Sequence, residues 1–203
     1  MTMTTLVELN GIEKRFDKPL FSPVSFTLLS GEGLALSGRN GSGKTTLLDI
    51  IAGLKRPDKG SVCINGPIGY VMQNDGLDGL LSCRDNLRYE AALCRLSAAE
   101  SRQKITLLAE LCGVTSFLNK RLSKCSAGMR QRVAIAAALI SDPKVLLLDE
   151  AFSSLDAQSA AAMKEVLISL MGEGACVIFA THIPGESDGL CSRTLVLPDA
   201  VLV

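Results

Sequence analysis

The run Val145-Leu146-Leu147-Leu148, set off by Pro143 and stopped by Asp149 and Glu150, constrains this 203-residue chain more than any other segment. Four consecutive apolar residues without alternation fit a strand covered on both faces, as in the middle of a parallel sheet. The two carboxylates then sit at the strand's carboxyl end, where open α/β sheets bind ligands. There one carboxylate can reach a metal while its neighbour orients or deprotonates a water. A strand that merely stops at a solvated turn would leave the same pair of acids, so the reading needs support from the rest of the chain.

That support lies upstream. Gly38-Arg39-Asn40-Gly41-Ser42-Gly43-Lys44-Thr45 fits the phosphate-loop pattern G-x-x-x-x-G-K-[ST], followed by Thr46. It sits between the apolar stretch 33–37 and a helical run carrying Leu47, Leu48, Ile50 and Ile51. Glycines let successive backbone N–H groups converge on phosphate oxygens, and a helix N-terminus adds positive potential. Lys44 reaches the outer phosphates and Thr45 offers its hydroxyl to Mg²⁺. A chance match to the four fixed positions is on the order of one in a hundred for a chain of this length.

With Ser126-Ala127-Gly128 opening a helix before the carboxylate strand, the chain resembles the nucleotide-binding subunits of ATP-binding cassette (ABC) transporters over essentially its whole length. The resemblance implies an α/β fold: a phosphate-loop NTPase core of mainly parallel sheet, with an N-terminal antiparallel β-subdomain and an inserted helical subdomain. It implies ATP as substrate, bound through residues 38–46, with Mg²⁺ at Thr45, Gln73 and Asp149. Glu150 would polarise the attacking water, assisted by Lys44, Gln73 and His182. Ser126 and Gly128 would contact the terminal phosphate of ATP held by a second nucleotide-binding subunit, in a homodimer or a heterodimer.

Several residues have a plainer reading beside the one the resemblance gives. Gln73, after the apolar stretch 68–72, matches the family's glutamine loop, which faces the membrane partner; a lone glutamine after a strand is also an ordinary turn residue. His182, the one histidine, closes the apolar stretch 175–180 where the family carries a switch histidine; a lone histidine also serves as a cap or surface group. Ser154-Leu155-Asp156 matches the short loop at the family's dimer interface, and Asp156 reads equally well as an N-cap. Phe16 stands where the family stacks an aromatic on adenine, with core packing as the rival. Phe21 and Phe26, close to the strand-like stretch 24–29, read as core.

The family's signature, Leu-Ser-Gly-Gly-Gln, appears as Cys125-Ser126-Ala127-Gly128-Met129, so three of five positions depart from it. Ala151 replaces a usual proline, and Ile183 a usual acidic residue. Gly-Met-Arg-Gln-Arg at 128–132, with Arg84-Asp85-Asn86-Leu87, is similar to cassettes of exporters rather than of binding-protein-dependent importers.

Lysine plus arginine number 21 against 21 aspartates and glutamates, a balance that argues against a nucleic-acid partner. No apolar run approaches the ~18 residues that span a bilayer, so the chain is not expected to be a pore itself. The resemblance implies a separate transmembrane permease subunit, with the chain peripheral on the cytoplasmic side of the cell membrane. Seven scattered cysteines without C-x-x-C pairs lead to an expectation of reduced thiols, with neither disulfides nor zinc. The expected organisation is a single domain over 1–203, its core at 1–75 and 131–203 and its helical subdomain at about 76–130. Within the latter, Arg84–Leu96 reads as a helix and Ser97-Ala98-Ala99-Glu100 as a capping box opening another, with Ile105, Leu107, Leu108 and Leu111 on it. A last strand pair is expected over 193–203. The alternatives are a non-transport ABC ATPase, which long coiled-coil insertions or a second cassette would mark, and a regulatory ATP-binding module, against which Glu150 and His182 argue.

Overall fold

The computed structural model describes residues 4–74 and 76–203; residues 1–3 and Asp75 lie outside them. In chain order the strands are β1 (Thr5–Glu13), β2 (Val24–Leu29), β3 (Gly33–Ser37), β4 (Lys59–Ile64), β5 (Ile68–Val71), β6 (Val145–Asp149), β7 (Cys176–Thr181), β8 (Arg193–Val196) and β9 (Val201–Leu202). The helices are α1 (Lys44–Ile51), α2 (Cys83–Leu93), α3 (Ala98–Leu111), α4 (Ala127–Ala138) and α5 (Ala157–Gly172).

Two sheets form. One is antiparallel, in the order β2-β1-β4, and the other is a six-stranded sheet in the order β5-β6-β7-β3-β8-β9, parallel except for the β8–β9 pair at its edge. All positions of β6 and β7 are buried, as an unbroken apolar run between neighbouring strands requires. Successive residues of β6 point to opposite faces. Leu146 and Leu148 join Val177, Phe179 and residues of α2–α5 such as Leu87, Ile105, Val133 and Leu167. Val145 and Leu147 join Cys176, Ile178, Leu47 and Leu48, together with Val7, Leu9 and Phe26 of the antiparallel sheet. The parallel sheet is therefore the middle layer, with α1 and the antiparallel sheet on one side and the remaining helices on the other. Phe21 and Phe26 are buried in the core, as expected.

Helix starts follow the sequence closely. Ser82, Ser97, Ser126 and Asp156 each accept a bond from a backbone N–H in the first turn of α2, α3, α4 and α5. Helix ends and faces follow it less well. Helix α2 stops at Leu93 rather than Leu96, because Arg95 turns the chain at a φ of 59°. On α3, Ile105 and Leu108 are buried but Leu107 and Leu111 are exposed, since the helix packs through a narrow stripe. Helix α4 runs through position 130, so the expected subdomain limit there falls inside a continuous helix that packs on both α2 and β5.

The capping box of α3 is complete, Ser97 Oγ accepting from Glu100 N and Glu100 accepting from Ser97 N. Replacing Ser97 by alanine should lower unfolding free energy by about 1 kcal/mol. Urea denaturation should show a lower midpoint at an unchanged slope; an unchanged midpoint would mean that this cap contributes nothing.

Candidate functional site

Strands β5, β6, β7 and β3 are parallel neighbours, so their carboxyl ends share one rim of the sheet. The register fixes this, pairing Val71 with Leu148, Asp149 with Ala180 and Ser37 with Thr181. Segments far apart in sequence thus meet: the glycine-rich loop after β3, Gln73 after β5, Asp149 and Glu150 at the end of β6, and His182 after β7.

The glycine-rich loop turns through Gly41 and Gly43 at φ values of 80° and 101°, a left-handed backbone that favours glycine. Gly38 is fixed by space, because a Cβ there would stand 2.5 Å from the Leu197 carbonyl oxygen and 2.6 Å from Ser42 Oγ. No side chain caps α1, which leaves its first-turn amides to a ligand. The Lys44 ammonium is buried and donates to the carbonyls of Gly38 (2.8 Å) and Arg39 (3.3 Å). With three N–H donors it keeps one for an anion. Ser42 Oγ is buried without a partner. Uncapped amides, a spare ammonium proton and an orphaned hydroxyl on one loop are what a polyphosphate would satisfy. The cleft beside them, ≈ 450 Å³, is lined by Leu20, Asn40, Gly41, Gly43, Lys44, Thr45, Thr46, Gln73 and Glu150. His182 borders the other side of the loop, in a cleft shared with Gly38, Arg39 and Asn40.

Thr45, which lines the cleft, donates its hydroxyl to the buried Asp149 Oδ2 at 2.6 Å, bringing two hard oxygen donors together. Burial is the main cause holding the Asp149 carboxyl above its usual range; the Thr45 bond opposes that shift and Glu150 adds to it. A carboxylate so placed gains from a cation. Among the described residues no cluster of three or more His, Cys, Asp or Glu side chains forms a metal cage. A single carboxylate with a hydroxyl suits an ion that takes its remaining ligands from water and phosphate, as Mg²⁺ does.

Glu150 occupies the left-handed region at a φ of 52°, a conformation that costs a non-glycine residue on the order of 1 kcal/mol. Its N–H donates to Ala180 O (2.9 Å), and its carbonyl accepts from the Ser153 hydroxyl at 2.9 Å. The turn aims the carboxylate between two polar side chains: His182 Nδ1 lies 2.9 Å from Oε1, and Gln73 Nε2 lies 3.4 Å from Oε2. These five residues named from the sequence therefore form two linked groups, Thr45–Asp149 and Gln73–Glu150–His182.

Other expected residues lie elsewhere. Phe16 is exposed and outside the lining of the phosphate cleft, whereas Leu20, which the sequence did not single out, lines it. Leu20 packs against the phosphate loop: a Cβ on Gly43 would meet its Cδ2 at 3.0 Å. Spacing alone carries no sign of that contact. Ser126 and Gly128 also stand outside the lining. Ser126 Oγ accepts from Met129 N at 3.2 Å, which leaves its proton free to donate.

Gly128 has a packing role within the chain. A Cβ at this position would lie 2.8 Å from the Ser154 carbonyl oxygen, so the second residue of α4 must be glycine for the helix to seat on the 153–155 turn. Alanine gains about 1 kcal/mol of helix propensity, against about 1–3 kcal/mol for overpacking against backbone. Gly128→Ala should therefore destabilise the nucleotide-free chain, read as a lower thermal midpoint; a raised midpoint would leave ligand contact as the glycine's only role.

Comparison with known proteins agrees with this geometry. The ABC transporter family matches residues 21–153. The "Nod factor export ATP-binding protein I" of Burkholderia lata is 34% identical, over 95% of this chain and 68% of that protein. Among solved structures, the "Dimeric Structure of MJ0796, a Bacterial ABC Transporter Cassette" superposes with a TM-score of 0.86 at 25% identity, covering 95% of this chain and 94% of that one. The "post-hydrolysis state of the ATP-binding cassette MJ0796 bound to ADP and Pi" gives the same TM-score and identity, covering 96% and 95%. On the family match, the sequence identity and the shared fold together, the chain belongs to the ABC transporter family, as one of its ATP-hydrolysing, nucleotide-binding subunits.

Proposed function

We propose that this cassette closes with a second nucleotide-binding subunit around ATP and drives export through a separate transmembrane permease, working peripherally on the cytoplasmic side of the cell membrane. The observation that carries the chemistry is the Glu150 carboxylate, held by His182 and Gln73 at the mouth of the cleft that Lys44 and Thr45 line. In this reading Glu150 takes up or orients the proton of the attacking water, an effect typically worth about 10²- to 10⁴-fold in rate. His182 keeps that carboxylate aimed and contacts the terminal phosphate once ATP enters. Lys44 and the first-turn amides of α1 bind the phosphates. Thr45, Asp149 and Gln73 would hold Mg²⁺, which when bound neutralises charge on the phosphates.

The dimer rests on the placement of Ser126 and Gly128. They stand at the exposed N-terminus of α4, outside the chain's own phosphate cleft, so their free amides and hydroxyl suit the phosphate of another subunit. The second subunit is a further copy of this chain or a different cassette. For the permease, the support is that no helix among the described residues is long and apolar enough to cross a membrane. Met72, Leu80 and Leu81, exposed around the Gln73 loop, offer it an apolar footing. Export is supported by the printed name of the Burkholderia lata relative and by the exporter-like residues 84–87 and 128–132.

A site completed by a partner makes hydrolysis depend on association. Specific ATPase activity of the purified chain should rise with protein concentration and level off once dimers dominate; a flat profile would contradict the two-subunit site.

A further inference from the structure

Two cysteines meet at the root of the signature helix. The sulfurs of Cys83, first residue of α2, and Cys125, immediately before Ser126, lie 3.6 Å apart, the one sulfur–sulfur contact among the described residues. Cys83 is fully buried and Cys125 is half-buried, so reagents reach the pair through Cys125.

The main chains on either side are already locked together. Cys83 N donates to Lys120 O (3.0 Å), Arg84 N to Leu118 O (2.8 Å) and Leu122 N to Leu81 O (2.9 Å), and Ser82 bridges to Arg121. Cys125 N donates to Leu122 O at 2.9 Å. The thiols are thus presented to each other by a rigid frame that does not depend on them. A disulfide needs its sulfurs about 2.05 Å apart, so bonding requires ~1.5 Å of approach.

We propose that Cys83 and Cys125 form a redox-sensitive dithiol site that low-molecular-weight disulfides, such as glutathione disulfide, oxidise to an intramolecular disulfide, holding the signature segment away from its working position. The Cys125 thiolate attacks one sulfur of the small disulfide, forming a mixed disulfide and releasing one small thiol. The Cys83 thiolate then attacks the Cys125 sulfur and expels the second. Two protein S–H bonds are lost and one S–S bond is formed; two electrons pass to the small disulfide, which leaves as two thiols. Burial first, and then the contact with Cys125, push the Cys83 thiol up to about 12, so the second step is the slow one.

The approach of the two sulfurs must be taken up where Cys125 joins Ser126, the N-cap of α4. The phosphate loop belongs to another element and is left alone. Oxidation should therefore spare nucleotide binding and depress hydrolysis, by up to about 10²-fold for an ångström-scale misplacement.

The test compares the purified full chain after glutathione disulfide with the same chain after reductant. Non-reducing peptide mass mapping should find the Cys83 and Cys125 peptides joined, and ATPase activity should fall and return on reduction while nucleotide binding holds. Cys83→Ala should keep the basal rate and lose the sensitivity. Peptides that stay unlinked, a bridge between other cysteines, or a linked protein with an unchanged ATPase rate would each overturn the proposal. The linkage is read on the parent chain, so the chemistry is tested even if the variant does not fold.

Discussion

The bond from Thr45 to Asp149, 2.6 Å long, is the join on which the site depends. It ties the helix that follows the phosphate loop to the strand that carries the carboxylates, across 104 positions of sequence. Neither group could be there without the strand order β6-β7-β3, which brings the end of β6 within reach of the helix that begins after β3. The sheet order in turn follows from strands apolar on both faces, which are stable only between covering layers. An aspartate with 1% exposure is held above its usual carboxyl range chiefly by burial. Nucleotide with a divalent cation would relieve that unfavourable burial, so binding and local stability are linked at this contact.

Glu150 shows how the fold holds backbone strain at the rim of the sheet. Its left-handed backbone is retained because the Ala180 and Ser153 bonds hold the turn, and the direction of its carboxylate follows from that turn. Gln73 and His182 reach it from the two flanking strand ends, so three loops must keep their positions together for the carboxylate to stay aimed. Whatever displaces the Gln73 loop would displace a partner of that carboxylate, and exposed apolar side chains flank the loop. The signature helix α4 is held from two sides. Gly128 seats it on the 153–155 turn and the Cys83–Cys125 contact ties its root to α2.

Much of this was legible in the sequence where one local rule decided the outcome. The unbroken run Val145–Leu148 gave a buried parallel strand, and Ser97 with Glu100 gave a capped helix. Phe21 and Phe26 fell in the core, and 193–203 paired as β8 and β9. What escaped depended on contacts between distant segments. Nothing at position 20 signals that Leu20 would lie against Gly43, and a histidine after a strand does not announce that it will pair with a carboxylate 32 positions away. Leu107 and Leu111 matched the helical period yet face outward, because which part of an apolar stripe is covered depends on the neighbouring helices. The limit expected near 130 falls inside α4, since a change in sequence pattern need not break a helix.

The most direct measurement is steady-state ATPase activity of the purified chain beside Glu150→Gln, with size-exclusion chromatography of both in ATP and Mg²⁺. Glu150 as the general base predicts turnover by the parent, a loss of about 10²- to 10⁴-fold in the variant, and accumulation of the variant as an ATP-bound dimer. A variant that hydrolyses ATP as fast as its parent would contradict that assignment and move the search for the base elsewhere on the rim.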